Sequence, residues 1–225
     1  MNSQKPTAVD FFSGAGGLTL GLKKAGFKVV AGVELMPEIA KTYKANNRKT
    51  KLLIKDIRQV TGKEILRLTK MKKIDLVAGC PPCQGFSQLT EKYKRHDSRN
   101  GLVLEMARMI EELKPRMVMM ENVPGIATKG KRILNKFVKK LESLGYVVNM
   151  KVLQMADYGV PQSRRRFVLL AGKGFEVPLP EQTHAHKEDS KKKLKKWVTL
   201  SDVIKGFPRP VKLSHAEKKG GPEKF

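Results

Sequence analysis

The chain has 225 residues, enough for one domain with a hydrophobic core and a modest extension. It carries 46 Lys and Arg against 21 Asp and Glu, and this net charge of +25 favours a polyanionic partner, above all a nucleic acid. Cys80 and Cys83 lie too close together to close a stabilising loop, which argues against a secreted disulfide scaffold. The chain lacks a long apolar run and a signal-peptide pattern, so we expect an intracellular, cytoplasmic protein that does not enter the membrane.

Short β-branched or aliphatic runs alternate with amphipathic segments along most of the chain. This alternation is typical of βαβ units and predicts an α/β fold, a doubly wound, mostly parallel seven-strand sheet with helices on both faces. The predicted strands span residues 9–12, 29–33, 52–54, 74–78, 116–120, 146–153 and 167–171. Between them, residues 133–144 place Leu134, Phe137 and Leu141 on one face and lysines on the other, which predicts a helix resting on the sheet.

The character of the sequence changes after Pro178. The stretch that follows is polar and lysine-rich and contains one short apolar segment, residues 197–204. We therefore predict an α/β domain over residues 1–177 and a basic polar tail over residues 178–225, which is too hydrophilic to bury a core of its own.

Open α/β sheets bind ligands at the carboxyl ends of their strands, and unusual residues cluster at those ends here. The first strand runs into a glycine turn, residues 13–17, which allows a close approach of the backbone to a ligand. Glu34 ends the second strand 20 residues after Gly14, where an acidic residue of such folds hydrogen-bonds ribose hydroxyls. Asp56 follows the third strand in the same way. A solvated loop carboxylate is the alternative for Glu34.

Three further strand ends carry reactive or charged groups. The fourth strand is followed by Pro81 and Pro82, which hold Cys83 on a stiff, non-helical turn suited to a nucleophile. The fifth strand ends at Glu121. Before the last strand, Arg164 and Arg166 alternate in an extended segment and are expected to project to the same side. Solvation at the surface is the alternative for these arginines.

The segments DFFSGAGGL, GCPPCQGFS, DSRNGL, ENVPGI and QSRRR, in this order, resemble the motif series of cytosine-5 DNA methyltransferases. The resemblance covers about residues 7–172, and it implies a Rossmann-like methyltransferase sheet. It also implies an enzyme, found in restriction-modification systems, that transfers a methyl group from S-adenosylmethionine to carbon 5 of a flipped-out cytosine in DNA, through a covalent adduct with Cys83. Such an enzyme is expected to be nucleoid-associated.

The resemblance assigns roles to residues of three kinds. It makes Cys83 the nucleophile, Glu121 the acid at N3 of the base, and Arg164 and Arg166 the pair that fixes the base, while Cys80 becomes a small buried side chain without a catalytic role. The implied cofactor residues are Phe12, Gly14, Ala15, Gly17, Glu34, Asp56, Ile57, Pro81 and Leu102. The implied contacts to the nucleic acid are Gln84, Ser87, Arg99, Gln162 and Arg165, and residues 84–102 resemble the family's loop that closes over the base.

The sequence departs from the family in two ways. Many members have a large aromatic residue after the ribose-binding acid, and here that position is Leu35. Members also continue into a target-recognition domain and a helix that completes the cofactor pocket, and only about 50 residues remain here after Ala171. We therefore expect a second polypeptide to supply the missing parts, with a truncated chain as the alternative.

Other functions stay open at the level of sequence. The same chemistry on transfer RNA is one alternative, because the motifs do not distinguish the two sugars. A catalytically silent DNA-binding subunit is another, although Cys83, Glu121 and both arginines are intact. A redox or half-zinc site at the two cysteines is disfavoured because the chain has no second cysteine pair, and no metal ligand is predicted.

Overall fold

The computed structural model describes residues 5–82, 101–187 and 193–207. The first of two units, residues 1–154 and 164–181, contains a seven-stranded sheet. Its strands in chain order are β1 (Thr7–Phe11), β2 (Lys28–Glu34), β3 (Lys51–Ile54), β4 (Leu76–Gly79), β5 (Met117–Asn122), β6 (Tyr146–Gln154) and β7 (Arg165–Lys173). They are arranged in the order β3-β2-β1-β4-β5-β7-β6. Strand β7 is antiparallel to both of its neighbours, and the pairs from β3 to β5 are parallel. The predicted mostly parallel seven-strand sheet is confirmed.

Five helices connect the strands, namely α1 (Gly17–Lys24), α2 (Pro37–Asn46), α3 (Gly62–Thr69), α4 (Leu102–Leu113) and α5 (Lys131–Ser143). Their ends follow local chemistry. Helix α2 begins with Pro37, whose fixed φ suits the first helical position. Helix α3 begins after Thr61, whose side chain accepts a hydrogen bond from the Glu64 N–H. Short 3-10 turns at Ile57–Gln59, Pro124–Ala127 and Met155–Tyr158 complete the connections.

The two faces of the sheet bury different residues because side chains alternate along each strand. On β1, Val9 and Phe11 pack into a large cluster with α3, α4 and α5, while Ala8 faces the other side with Leu22 of α1. On that second side Gly32 of β2 leaves room for the ring of Tyr43 from α2. Helices therefore cover both faces, as the sequence predicts.

Helix α5 shows the predicted division into two faces. Leu134, Phe137 and Leu141 are buried in the large cluster, and Lys136 and Lys139 are exposed. The helix begins two residues before the predicted start and ends one residue before the predicted end.

Residues 155–163 and 182–225 group together as a second unit. Within it β8 (His184–Ala185) pairs with β9 (Lys195–Lys196), and α6 (Leu200–Ile204) begins with a capping box formed by Thr199 and Asp202. Helix α6 buries none of its residues, while the Trp197 indole N–H donates to Asp157 Oδ1 at 2.9 Å. Hydrogen bonds rather than a core thus organise the described part of this unit. The boundary expected after residue 177 stays a prediction.

No helix in the described ranges is long and apolar enough to cross a membrane.

We predict that Phe137→Ala lowers the free energy of unfolding by about 3 to 5 kcal/mol, because it empties a fully buried ring position between α5 and the sheet. Urea denaturation followed by circular dichroism measures the loss. Lys136→Ala, one residue earlier on the exposed face, is the matched control and should change stability by less than about 0.5 kcal/mol. Equal effects of the two substitutions would show that α5 does not pack as described.

Candidate active site

The carboxyl ends of β1, β2 and β4 meet at one edge of the sheet. Phe11 at the end of β1 lies between Val33 of β2 and Gly79 of β4. The Ser13 N–H donates to the Val33 carbonyl at 3.0 Å, and the Cys80 N–H donates to the Phe11 carbonyl at 3.4 Å. This pairing brings the glycine turn, the acid at the end of β2 and the Cys-Pro-Pro segment together, as the sequence predicts for a ligand site.

Glu34 holds the glycine turn in place with both carboxylate oxygens. Its Oε2 accepts the Gly14 N–H at 2.8 Å, and its Oε1 accepts the Met36 N–H at 2.9 Å. Gly14 has a φ of +55° and Gly16 a φ of +100°, and a Cβ at Gly16 would lie 2.6 Å from Asn47 Nδ2, so glycine is required there. Each carboxylate oxygen keeps a second lone pair, which is free to accept a hydroxyl.

A cavity of about 510 Å³ opens beside Glu34. It has an apolar lining with two carboxylates, and its walls are Phe12, Val33, Glu34, Leu35, Met36, Ile39, Lys55, Asp56, Ile57, Arg58, Cys80, Pro82 and Leu102. This size and this mixture of surfaces suit a nucleoside ligand, whose flat base takes the apolar walls and whose hydroxyls take the acids.

The predicted cofactor residues divide into two groups. Phe12, Glu34, Asp56, Ile57 and Leu102 line the cavity. Four others, Gly14, Ala15, Gly17 and Pro81, are not among its walls. Gly14 instead contributes its N–H to Glu34, and Pro81 is buried next to the wall residue Pro82. The sequence did not single out three further wall residues, Met36, Ile39 and Arg58, which lie two residues after Glu34, five residues after Glu34 and one residue after Ile57.

Phe12 has a left-handed backbone with a φ of +58°, which is rare for a residue with a large side chain. Phe12 directly follows β1, and its backbone conformation ends the strand at Phe11, one residue before the predicted end. Its side chain lines the cavity. Strained backbone of this kind persists where the surrounding structure enforces it, often at a binding site.

Arg108 of α4 fixes the turn that carries Asp56 and Ile57. One of its terminal nitrogens donates to the Ile57 carbonyl at 2.9 Å and to the Val60 carbonyl at 3.0 Å. Glu105 and Glu112, one turn away on either side, hold the guanidinium in place. Arg108 was not among the predicted site residues, although an arginine flanked by acids at helical spacing is a recognisable signal.

Asp56 itself is paired with Arg58, whose guanidinium donates to both of its oxygens at 2.6 to 3.1 Å. Hydrogen bonds from the Arg58 side chain hold the pKa of this carboxyl below its ordinary value. Asp56 therefore stays ionised in the cavity wall and can accept a hydrogen bond from a ligand amino group.

A buried amide anchors the turn that leads to the predicted nucleophile. Asn122 Nδ2, at the end of β5, donates to the Pro81 carbonyl at 3.0 Å, and Asn122 Oδ1 accepts the Val123 N–H at 2.7 Å. The motifs GCPPC and ENV, 40 residues apart in the chain, are thus joined by one side chain. The sequence analysis quoted the ENV motif but gave Asn122 no role.

Glu121 forms an ion pair with Arg166, whose Nε lies 2.7 Å from Glu121 Oε1. Both side chains are largely buried, with exposed fractions of 29% and 18%. The structure therefore brings two of the predicted catalytic residues together. Arg164, just before β7, and Arg165, the first residue of β7, are both exposed.

Cys80 is a half-buried thiol that also lines the cavity. Burial, with the nearby carboxylates of Glu121 and Asp10, raises the pKa of this thiol far above its ordinary value, so it stays protonated at neutral pH. A protonated thiol is a poor nucleophile. That Cys80 has no catalytic role stays a prediction.

Four predicted site residues, Cys83, Gln84, Ser87 and Arg99, lie outside the described residues. Gln162 belongs to the second unit and is exposed.

Asp10 is a buried acid that the sequence analysis did not predict. It lies in the middle of β1, is fully shielded from solvent, and accepts a hydrogen bond from Thr19 Oγ1 at 2.6 Å. Its Oδ1 has no partner among the described residues. Burial raises the pKa of this carboxyl from 3.8 to about 7, and the nearby charge of Glu34 adds to the shift. A charged residue within an otherwise apolar strand was the available signal.

A doubly wound sheet with a glycine turn, an acid after the second strand and a nucleoside-sized cavity defines the class of methyltransferase-like α/β domains. The family model for C-5 cytosine-specific DNA methylases matches residues 7–219. The chain belongs to the C-5 cytosine-specific DNA methylase family.

Curated relatives agree with this assignment. The type II methylase M.HgiDII of Herpetosiphon aurantiacus is 40% identical over 87% of this chain and 53% of its own length. The type II methyltransferase M.XorII of Xanthomonas oryzae pv. oryzae is 42% identical over 80% of this chain and 44% of its own. The chain thus spans about half the length of these two relatives. It spans 88% of a third, M.AquIA of Picosynechococcus sp., with which it shares 36% identity.

Solved structures show the same fold. A protein described as a DNA modification methyltransferase encoded within an E. coli prophage superposes with a TM-score of 0.75 at 30% identity, over 92% of this chain and 56% of that one. DNMT2 of Spodoptera frugiperda superposes with a TM-score of 0.62 at 27% identity, over 75% of this chain and 50% of that one.

We predict that the stability of the chain falls as the pH rises from about 4 to about 7, by up to about 4 kcal/mol from Asp10 alone. In this window the carboxyl is ionised in the unfolded chain but still protonated in the folded one, so rising pH favours unfolding. Asp10→Asn removes the titration and keeps an acceptor for Thr19. Urea midpoints at pH 5 and pH 8 should therefore differ less for Asp10→Asn than for the wild type. An equal difference in both proteins would contradict the assignment.

Proposed function

We propose that the chain transfers a methyl group from S-adenosylmethionine to carbon 5 of cytosine in DNA, through a covalent adduct of Cys83. One observation carries this proposal: the cavity lined by Glu34 and Asp56 also includes Pro82, the residue directly before Cys83. The candidate cofactor site and the turn bearing the candidate nucleophile are therefore contiguous. DNA rather than transfer RNA is proposed as the substrate because the family and its curated relatives are DNA methylases.

The cavity fits S-adenosylmethionine, which supplies an electrophilic methyl group when bound. Glu34 is positioned to accept the ribose hydroxyls, since its oxygens lie at the glycine turn with lone pairs to spare. Asp56 is positioned to accept from the adenine amino group, and Ile57 and Leu102 give the base apolar walls. Phe12 closes the cavity on the side of β1.

Glu121 and Arg166 are proposed to act on the target base. Arg166 occupies Oε1 of Glu121, which leaves Oε2 for a hydrogen bond that shares a proton with N3 of cytosine. That proton makes carbon 6 more electrophilic, so the Cys83 thiolate adds there and turns carbon 5 into the nucleophile. Carbon 5 would then take the methyl group of S-adenosylmethionine, with S-adenosylhomocysteine as the leaving group. Loss of the carbon 5 proton to a base and elimination of the Cys83 thiolate restore the ring.

The remaining predicted residues are proposed to hold the DNA. Arg164, Arg165 and Gln162 are exposed, as contact with a phosphate backbone requires, and Gln84, Ser87 and Arg99 belong to the same proposal by sequence. The base must leave the helix stack before Cys83 can reach carbon 6. We place the protein at the nucleoid, within a restriction-modification system.

We predict that Cys83→Ser lowers the rate of methyl transfer by at least about 1000-fold, because a serine hydroxyl is not ionised near neutral pH. The rate is measured as the incorporation of tritium from labelled S-adenosylmethionine into unmethylated DNA. If methyl transfer requires further polypeptide segments, they are added to the assay. Cys80→Ser is the matched control, three residues away, and should keep most of the activity because the raised pKa of the Cys80 thiol keeps it protonated and poorly nucleophilic. DNA containing 5-fluorocytosine should form a covalent complex with the wild type and not with Cys83→Ser. Loss of activity in Cys80→Ser alone would reject the assignment.

The cofactor cavity has an apolar rim that is open to solvent. Leu35, Met36 and Ile39 line it with exposed fractions of 55%, 48% and 40%. Exposed apolar residues grouped at the mouth of a pocket mark a surface that another segment covers. We propose that a second polypeptide covers this rim and supplies the target-recognition domain. M.AquIA is a relative of comparable length, of which this chain covers 88%.

We predict that these 225 residues alone bind S-adenosylmethionine at least about tenfold more weakly than they do with the covering segment, because the apolar rim of the cavity is open to solvent. Isothermal titration with and without the product of an adjacent reading frame measures this difference. Leu35→Ser, which makes the rim polar, should reduce the gain from the added polypeptide. Full affinity and sequence-specific methylation by the 225 residues alone would reject the proposal, and rescue only by a longer form of the same chain would place the segment in cis.

A further inference from the structure

A basic groove lies at the amino-terminal edge of the sheet, opposite the candidate active site. Its volume is about 850 Å³, and its cationic walls are Lys5, Lys23, Lys28, Arg48, Lys49 and Lys51. The other wall residues are polar or apolar, and no Asp or Glu lines it. We name these six cations and the space between them the basic edge groove.

The local fold does not neutralise these charges. In the described part of the chain, none of the six cations takes part in an ion pair. Lys23 donates to Asn47 Oδ1 at 2.6 Å. It lies in the last turn of α1, where the partial negative charge of the helix end attracts a cation. Arg48 follows the end of α2 in the same way. A helix end carries only about half a negative charge, so two such ends leave most of the six positive charges uncompensated.

Strand geometry spreads the cations along the edge. Lys51 opens β3, Lys28 opens β2 and Lys5 precedes β1 by two residues. Further along the same edge, Lys73 precedes β4 and Arg116 directly precedes β5. Five adjacent strands at about 4.8 Å spacing give a row about 19 Å long.

The length of this row points to a polyanion. One strand of DNA presents a phosphate about every 3.4 Å along the helix axis. A row of cations about 19 Å long therefore matches the length of five or six phosphates. A small anion with two or three charges would leave most of the row unpaired. Asp75 also lies in this row, where it accepts from Thr7 N at 2.7 Å and from Thr7 Oγ1 at 2.8 Å. Its negative charge interacts with Lys73 and Arg116 and offsets part of theirs, while the six cations of the basic edge groove have no carboxylate among them.

We propose that the basic edge groove binds the phosphate backbone of a second DNA duplex while the opposite edge holds the duplex to be methylated. The groove lies at the amino ends of β1 and β2, and the candidate cofactor site lies at their carboxyl ends, five to seven residues away along the strands. A straight duplex along one edge does not reach the other. The chain therefore bridges two duplexes without regard to sequence, which goes beyond the proposed methyl transfer.

A bridging assay tests this proposal. Beads carry a duplex made only of A·T pairs, which is not a methylation substrate, and a fluorescent copy of the same duplex is captured through the full chain. The groove variant replaces Lys28, Arg48, Lys49 and Lys51 by glutamine. The control variant replaces Lys131, Arg132, Lys136 and Lys139 of α5, which are equally exposed, so both variants lose the same charge.

We expect the groove variant to lose bridging at least about tenfold and the control variant to change it by less than about twofold. Bridging by the wild type should also fall steeply with salt, as counterion release requires. Melting temperatures check folding, and a variant restricted to Arg48 and Lys49, in the loop after α2, repeats the test if the larger one unfolds. Bridging through a protein dimer would persist in the groove variant.

Three results would overturn the proposal: undiminished bridging by the groove variant, equal losses in both variants, or capture of duplex RNA in place of DNA. Methyl transfer is measured separately through Cys83, so an inactive protein that still bridges duplexes would reject the proposed function and leave this inference standing.

Discussion

The hydrogen bonds of Glu34 hold together the edge of the sheet on which the rest of the site depends. The Glu34 carboxylate accepts the N–H of Gly14, in the turn after β1, and the N–H of Met36, just before α2. The pairing of β1 with β2 and β4 then sets where the Cys-Pro-Pro segment begins. Since Glu34 is also the proposed ribose acceptor, the group that shapes the glycine turn is the same one that would contact the ligand.

A second set of contacts holds the catalytic side of this edge. Asn122 fixes the Pro81 carbonyl, and its neighbour Glu121 is fixed by Arg166. Two successive residues of β5 therefore orient both partners of the proposed chemistry, because alternate side chains of a strand point to opposite faces. On the cofactor side, Arg108 does the corresponding work for the turn at Asp56.

Much of the fold was predictable because its signals are local. Short segments rich in aliphatic residues mark the strands, which are four to nine residues long, and the 3.6-residue period of α5 marks its buried face. The site was predictable where residue type and strand end coincide, as at Glu34 and Glu121. Asp10 and Arg108 each carried a local signal, but their roles depend on partners in other segments of the chain, Thr19 for Asp10 and the turn at Ile57 for Arg108, which that signal does not name. The role of Asn122 was missed for the same reason.

The antiparallel placement of β7 has a consequence for how the ion pair at Glu121 is specified. Glu121 lies opposite Val168 in the ladder, and Arg166, two residues earlier on β7, lies on the same face. A shift of β7 by one residue would turn Arg166 to the other face and present Arg165 or Phe167 instead. The backbone hydrogen bonds of the strand ladder therefore fix the register of β7, and the register decides which side chain lies beside Glu121. The apolar residues that hold β7 in this register thus determine the position of the charge that orients the proposed catalytic acid. Insertions within β7 are for that reason far more damaging to the site than their distance from it suggests.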